Sequence, residues 1–279
     1  MSKYPEFSIS MCVYGGDNPI YFDLALNSMI DQTLPPNEIV LTVDGPISQT
    51  IENVIEKYEK RFSEEKICFK VVYSKNNVGH GAARRLSFDN CSYDFIALMD
   101  ADDISVQERF KKQMDYFLEY PELSVVGGNI HEFIEKPEEC IGKRLVPELD
   151  EDIKKYMKKR CPMNQVTVMF KKKDVATVGG YIDWYCEEDY YLWIRLALAG
   201  KRFGNIQENL VNVRVGEEMY SRRGGWKYFC SEEKLQRFML KKGMVSVGRY
   251  VMNVIQRLIL QVLMPNKIRG FIFQKFARE

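Results

Sequence analysis

The sequence predicts an α/β protein with a mostly parallel central sheet and helices on both faces, and three observations lead there. Strand-like and helix-like segments alternate through the first hundred residues. Carboxylates and amides gather where apolar strand segments end. The composition, 46% hydrophobic and 28% charged over 279 residues, is that of a globular chain able to bury one substantial core.

By apolar periodicity, Phe7 to Val13 reads as a strand, Tyr21 to Ile30 as a helix, Glu38 to Val43 as a strand and Ile51 to Phe62 as a helix. Ile67 to Tyr73 is a third strand, Gly81 to Cys91 a third helix and Tyr93 to Met99 a fourth strand. This βαβαβαβ order places ligands beyond the carboxyl ends of the strands. Tyr14, Asp44 in VDGP, the stretch Ser74 to Gly79 with Asn76, and Asp100 are therefore expected to converge on one crevice.

The fourth strand ends in Met99-Asp100-Ala101-Asp102-Asp103. Three carboxylates at a strand end must be solvated, capped or neutralised by a cation. Two readings stand: a divalent metal carrying phosphate, or a polar turn into the helical pattern Val106 to Leu118, which Ser105 and Glu108 would open as a capping box.

Further on, a strand is expected at Ser124 to Ile130, a helix at Glu151 to Arg160 and a strand at Val166 to Phe170. Gly179-Gly180-Tyr181 makes a turn, and Glu187-Glu188-Asp189 opens a helix that runs through Ala199 and stops at Gly200. Acidic residues suit a helix N-terminus, so a plain dipole role competes with chemistry there.

The net charge of +1 hides an asymmetry: Arg222 to Glu279 holds 13 Lys and Arg against 3 Asp and Glu, the remainder 27 against 36. Val251, Val254, Ile255, Leu258 and Val262 recur at helical spacing up to Pro265, and KIRGFIFQKFAR mixes Phe271, Phe273 and Phe276 with four cations. The tail fits a membrane interface, or a helix packed on the core with a solvated face. Seven cysteines without a C-x-x-C pair suggest neither a disulfide framework nor a zinc ribbon, and fit a reducing, cytosolic setting. MSKYPEF has no apolar signal region, and no apolar run approaches about 18 residues. With no G-x-G-x-x-G after the first strand and no G-x-x-x-x-G-K-[ST], dinucleotide oxidoreductases and P-loop NTPases are poor fits.

The expected crevice suits a nucleotide: Asp44 could accept a uracil imide N–H, Tyr14 stack on the ring, and Asp100 and Asp102 reach a diphosphate through Mg²⁺ or Mn²⁺, with Arg84 adding fixed positive charge. The order SISMCVY, VDGP, NNVGHGAARR, MDADD, VGGYID and EEDYYLWIRLALAG resembles a family 2 glycosyltransferase of GT-A fold. RVGEEMYSRRGG and the tail resemble bacterial enzymes of O-antigen, capsule and amylovoran-type polysaccharide synthesis.

That resemblance implies an inverting, metal-dependent transfer of galactose or glucose from a UDP-sugar to a GlcNAc- or GalNAc-diphosphoundecaprenol acceptor at the cytoplasmic membrane face. It implies that Asp100, Ala101 and Asp102 hold the sugar-nucleotide and a Mn²⁺ or Mg²⁺ ion, with Asp102 the direct ligand. Asp189 corresponds to the catalytic base, its proton affinity raised by Glu187 and Glu188. Trp184 and Tyr181 would offer an acceptor platform, and Glu188, Arg214, Arg222 and Arg223 would meet the acceptor or a diphosphate. Residues 1–215 form the expected catalytic domain, with a nucleotide-sugar half at 1–103 and an acceptor half at 104–215; 216–279 is a basic helical extension. Three departures stand out. Both histidines, His80 and His131, come too early for a late metal ligand; Pro162-Met163-Asn164-Gln165 replaces Pro-x-Asn-His; and Arg84-Arg85 replaces Arg-Asn. The competing functions are a sugar nucleotidyltransferase, and a nucleotide-binding module whose tail contacts membrane or nucleic acid, the latter disfavoured for want of a binding motif.

Overall fold

The computed structural model describes residues 3–216 and 224–264. Strands β1 (Phe7–Tyr14), β2 (Glu38–Asp44), β3 (Cys68–Ser74) and β4 (Phe95–Met99) pair in parallel in the order β3-β2-β1-β4. Helices α1 (Pro19–Ile30), α2 (Gln49–Glu64) and α3 (His80–Asn90) connect them. Asn18 and Ser48 cap the first two by accepting from Ile20 N and Ile51 N, the role short polar side chains play before a helix.

Strand period 2 explains the two layers. Phe7, Ile9, Met11 and Val13 of β1 and Ala97 and Met99 of β4 face one core with α1, α2 and α4 (Arg109–Glu119). Ile96 and Leu98 face a second core with α3, α5 (Asp150–Met157), α6 (Lys172–Thr177) and α7 (Glu188–Leu198). Beyond β4 the sheet continues through β8 (Met169–Lys171), β6 (Leu123–Phe133), β9 (Arg202–Arg214) and β5 (Ile104–Ser105), with β7 (Gly142–Arg144) on β6. These pairings are antiparallel except β6 with β9, so the parallel half is extended into a mixed sheet. Two C-terminal helices follow, α8 (Trp226–Lys241), which sends Leu235 and Met239 into the second core, and α9 (Val247–Leu258), continued by a π-turn at Ile259–Leu263.

Several expectations need correction. The Ser105–Glu108 capping box does not form: Ser105 belongs to β5, and α4 starts at Arg109 without a side-chain cap. The strand expected at 166–170 divides into a 3₁₀ turn, Gln165–Thr167, and β8. The helix expected to reach Arg160 ends at Met157. Strand β9 escaped prediction because Asn205, Gln207, Glu208, Asn209 and Asn212 break its apolar alternation. Amide side chains satisfy that polarity locally, Asn205 Nδ2 donating to Pro147 O (2.7 Å) and Asn209 Nδ2 to Asn212 Oδ1 (2.8 Å). The segment KIRGFIFQKFAR lies outside the described residues.

Candidate functional site

The parallel register sets the carboxyl ends of β1, β2 and β3 level, with Tyr14 opposite Asp44 and Asp44 opposite Ser74. Tyr14 leaves its ring exposed at this rim. Asp44 is buried, and its two oxygens accept from Val78 N (2.7 Å) and Gly79 N (3.1 Å), which ties the β3–α3 loop to β2. Each oxygen keeps a second lone pair. Gly45 at φ +84 lets β2 turn away, since a Cβ there would stand 2.6 Å from Asn77 N. Asn76 is exposed on the same loop, its carbonyl accepting from Ser74 Oγ (2.7 Å).

At the end of β4 the three carboxylates part company. Asp100 Oδ1 accepts from Arg84 Nη2 (2.9 Å). Ala101 is buried, and Asp102 is exposed toward the crevice rim. Asp103 is buried and accepts from Arg214 N (2.8 Å), joining the turn to β9; burial, with Asp102 and Asp100 adding to it, lifts its pKa well above the carboxylate range. Below the turn, the buried Arg109 donates to Leu98 O (2.8 Å); burial pulls its pKa down to about 9 against the opposing pull of Asp100 and Asp103. Arg214 lies across the top, donating to Asp102 O (3.2 Å) and Ile134 O (2.9 Å) with its guanidinium 3.8 Å from the Tyr21 ring centre. Its side chain therefore fixes the acidic turn. Arg222 and Arg223 lie outside the described residues.

Asp17, absent from the sequence reading, joins this rim. Its Oδ2 accepts from Tyr14 N (2.9 Å), and burial, reinforced by Asp102 and Asp100, raises it to about 6. The rim thus gathers hard oxygen donors and excess negative charge, which suits Mg²⁺ or Mn²⁺. Among the described residues no three His, Cys, Asp or Glu side chains group closely enough to hold a metal ion. Asp102 and Asp100 are the side chains here that could hold such a cation, with ligand oxygens needed to complete its shell.

The second acidic group stands at the start of α7, after Cys186 at φ +57. Glu188 accepts from His80, whose Nδ1 is 3.2 Å from Oε1; burial works against its charge, but His80 and Arg84 prevail and its pKa is lowered. The other ring nitrogen, Nε2, accepts from Arg84 Nε (3.1 Å), which assigns the proton to Nδ1. Asp189 behaves oppositely: burial first and Glu188 second raise it to about 6, opposed by the Tyr190 N–H, Arg84 and Arg144. Its Oδ1 accepts from Tyr190 N (2.6 Å). With the Gln165 amide turned so that donors meet acceptors, Nε2 donates to Asp189 Oδ2 (2.8 Å) and Oε1 accepts from Arg84 Nε (3.2 Å) and Nη1. Asn164 holds the Gln165 turn by donating to Gly128 O (2.8 Å). One buried guanidinium, Arg84, thus links Asp100 directly and Asp189 through Gln165.

Asp100, Gln165 and Asp189 line one cavity of about 500 Å³ that continues past Lys159 and Arg160 to Arg257 and Gln261 of the C-terminal helices. Glu187 lines it too, its pKa pushed well up by burial, then by Glu232 and Asp189. Two expected acceptor residues sit elsewhere. Tyr181 is buried, and Trp184 packs on Tyr191 with ring centres 4.4 Å apart and donates to Ser231 O (3.3 Å), outside the cavity lining. Arg85, where an Asn was noted as usual, clamps the Gly179 turn by donating to Gly179 O (2.5 Å). Lys159, Arg160 and Arg257 were missed because cations on an irregular turn and a late helix have no periodic signature.

Residues 8–175 match the family described as "Glycosyl transferase family 2". The chain is similar to an Escherichia coli protein named "UDP-Gal:alpha-D-GlcNAc-diphosphoundecaprenol beta-1,3-galactosyltransferase", 32% identical over 98% of this chain and 97% of the relative. It is similar to the "Amylovoran biosynthesis glycosyltransferase AmsE" of Erwinia amylovora, 32% identical over 96% of this chain and 98% of the relative. Its fold matches Staphylococcus aureus TarS 1-349 in complex with UDP-GlcNAc, with a TM-score of 0.67 and 16% identity over 91% of this chain and 72% of that one. The architecture is the GT-A fold.

Proposed function

The chain belongs to glycosyl transferase family 2, and from that premise we propose an inverting, metal-dependent glycosyltransferase. It moves galactose or glucose from a UDP-sugar to a GlcNAc or GalNAc linked through diphosphate to undecaprenol, at the cytoplasmic face of the membrane, in O-antigen or capsule synthesis. The observation that carries this reading is that Asp100 and Asp189 line one cavity and are tied together through Arg84 and Gln165. The near full-length likeness to a relative named for UDP-Gal and GlcNAc-diphosphoundecaprenol supports the choice of donor and acceptor.

In this reading Tyr14 stacks on the uracil, and Asp44 accepts its imide N–H through a remaining lone pair, with Asn76 on the same loop. Asp102 and Asp100 would hold the divalent cation, which when bound would supply charge neutralisation at the departing diphosphate. Asp189 takes the proton from the acceptor hydroxyl as that oxygen bonds to the anomeric carbon and the bond to UDP breaks on the opposite side, inverting the centre. A carboxylate near 6 is a stronger base than an ordinary aspartate and is still ionised at neutral pH. Gln165 holds Oδ2, and the N–H of Tyr190 holds Oδ1, so the carboxylate is oriented before substrate arrives. The proposed division is a catalytic part at 1–215 and an extension at 216–279 whose Arg257 and Gln261 help to line the same cavity.

The test is a nucleotide-release screen of UDP-Gal and UDP-Glc with a synthetic GlcNAc- or GalNAc-diphospholipid. Acceptor-dependent release of UDP is expected. Release of pyrophosphate from a sugar phosphate and UTP, with no UDP released, would assign a nucleotidyltransferase instead.

A further inference from the structure

Helix α9 has its polarity reversed. Its inward face is polar: Asn253, 1% exposed, donates to Lys158 O (2.8 Å) and Gln236 Oε1 (2.8 Å). Arg257, 9% exposed, pairs with Glu232 and donates to Lys159 O (3.0 Å). Outward stand Val247, Val251, Met252, Ile255, Ile259 and Leu263, from 45% to 67% exposed. At about 100° per residue they cover nearly half of the helix circumference. A helix on a water-facing surface shows the opposite arrangement, and a contiguous apolar face of this kind marks a contact surface. The helical spacing of Val251, Val254, Ile255, Leu258 and Val262 leaves a core-packed and an interfacial helix open; the structure packs the polar face inward and leaves Val251 and Ile255 exposed.

Charge selects the occupant. The segment Val247–Leu263 contains no acidic residue. Lys241 and Lys242 precede it, Arg249 lies on it, and Lys158, Lys159 and Arg160 adjoin its inward face. Among the described residues none of these six cations makes an ion pair, whereas Arg257 on the inner face does. A second copy docked on this face would bring those cations together, which disfavours it. An anionic bilayer satisfies both features, taking the apolar side chains below its headgroups and the cations among them. The same helix forms a wall of the cavity: Gln256, Arg257, Leu260 and Gln261 line it together with Asp189, Lys159 and Arg160.

We propose that the outward face of α9 seats in the surface of an anionic bilayer, so that the cavity holding Asp189 opens at headgroup level with Lys159 and Arg160 facing lipid phosphates. This rests on the reading of a lipid-linked acceptor and names the surface that brings the enzyme to it. No helix among the described residues is long and apolar enough to cross a membrane.

The experiment uses the full chain with sedimenting vesicles of phosphatidylcholine containing phosphatidylglycerol, and with phosphatidylcholine alone. The wild type is expected to bind the anionic vesicles preferentially. The triple variant Val251→Ser, Ile255→Ser, Ile259→Ser is expected to bind about tenfold more weakly or worse, with an unchanged melting temperature because all three side chains are exposed. Lys159→Gln with Arg160→Gln should weaken binding about fivefold per charge, an effect erased by salt. Transfer to a short-chain, water-soluble diphospho-GlcNAc should be unchanged in the triple variant and transfer to vesicle-embedded acceptor reduced. Vesicle binding of the triple variant equal to wild type overturns the proposal, as does a wild-type dimer in sedimentation velocity that the variant abolishes. Wild type that binds vesicles but transfers to neither acceptor counts against the catalytic reading and leaves the membrane seat standing.

Discussion

Replacing Asp189 by Asn should raise the stability of the fold while removing the activity. A carboxylate held near 6 instead of 3.8 is disfavoured as an anion in the folded chain by at most about 3 kcal/mol, at about 1.4 kcal/mol per tenfold. The sign follows from linkage: the folded pKa lies above the unfolded one, so the contribution is fully present below 3.8 and lost as pH rises through about 6. At pH 7.5 the wild type therefore carries the penalty, and Asn escapes it. The amide adds a cost of its own. Gln165 Nε2 and Tyr190 N both donate to Asp189, and an Asn presents only one acceptor to the two of them. One unpaired donor costs about 1 kcal/mol. The balance is a gain of about 1–2 kcal/mol, a rise in melting temperature of about 2–4 °C for a chain of this size. Calorimetry at pH 7.5 and again near pH 4, where the gain should vanish, measures it. A melting temperature at pH 7.5 equal to or below wild type would refute the claim that the fold holds this carboxylate above its ordinary range.

In the proposed mechanism the same group sets the acidic limb of catalysis: kcat/KM should fall about tenfold per pH unit below about 6, and a profile flat to pH 5 would remove Asp189 as the proton acceptor. Arg214→Ala loses the bonds to Asp102 O and Ile134 O and the stacking on Tyr21, about 2–3 kcal/mol in all, and should raise KM for the UDP-sugar more than it lowers kcat; an unchanged KM would mean that the acidic turn holds its shape without it. Chelation should abolish transfer and Mn²⁺ or Mg²⁺ restore it, with Asp102→Asn needing about tenfold more metal for half activity; titration of activity against metal decides this.

Strands β1 to β4 were legible because nearly every residue in β1 and β2 is buried against one of two cores, which leaves a strong apolar signal. The convergence of Tyr14, Asp44, the β3–α3 loop and Asp100 followed from parallel topology alone. Ser105 and Glu108 spelled a cap locally, but tertiary pairing drew Ser105 into β5 opposite Val211. Strand β9 hid behind its amides. Asp189 is proposed from motif order, since a dipole-complementing acid and a base look alike in sequence. The reach of Arg84 to both acidic groups, and the use of Gln165 as the bridge, depend on three segments meeting, and a lone glutamine announces nothing. For α9 the apolar spacing was visible, but periodicity defines a face without saying whether it points in or out.

In the proposed mechanism Asp189 removes the acceptor proton in a cavity shared with the nucleotide diphosphate. Its most direct test pairs single-turnover transfer with UDP titration calorimetry for wild type and Asp189→Asn, using UDP-Gal and a GlcNAc-diphospholipid with Mn²⁺ present. UDP affinity is expected within about twofold of wild type, because Asp189 bonds to Gln165 and Tyr190 and not to the rim at Tyr14 and Asp102, together with a transfer rate lower by about 10²–10⁴. Undiminished transfer by Asp189→Asn would contradict it.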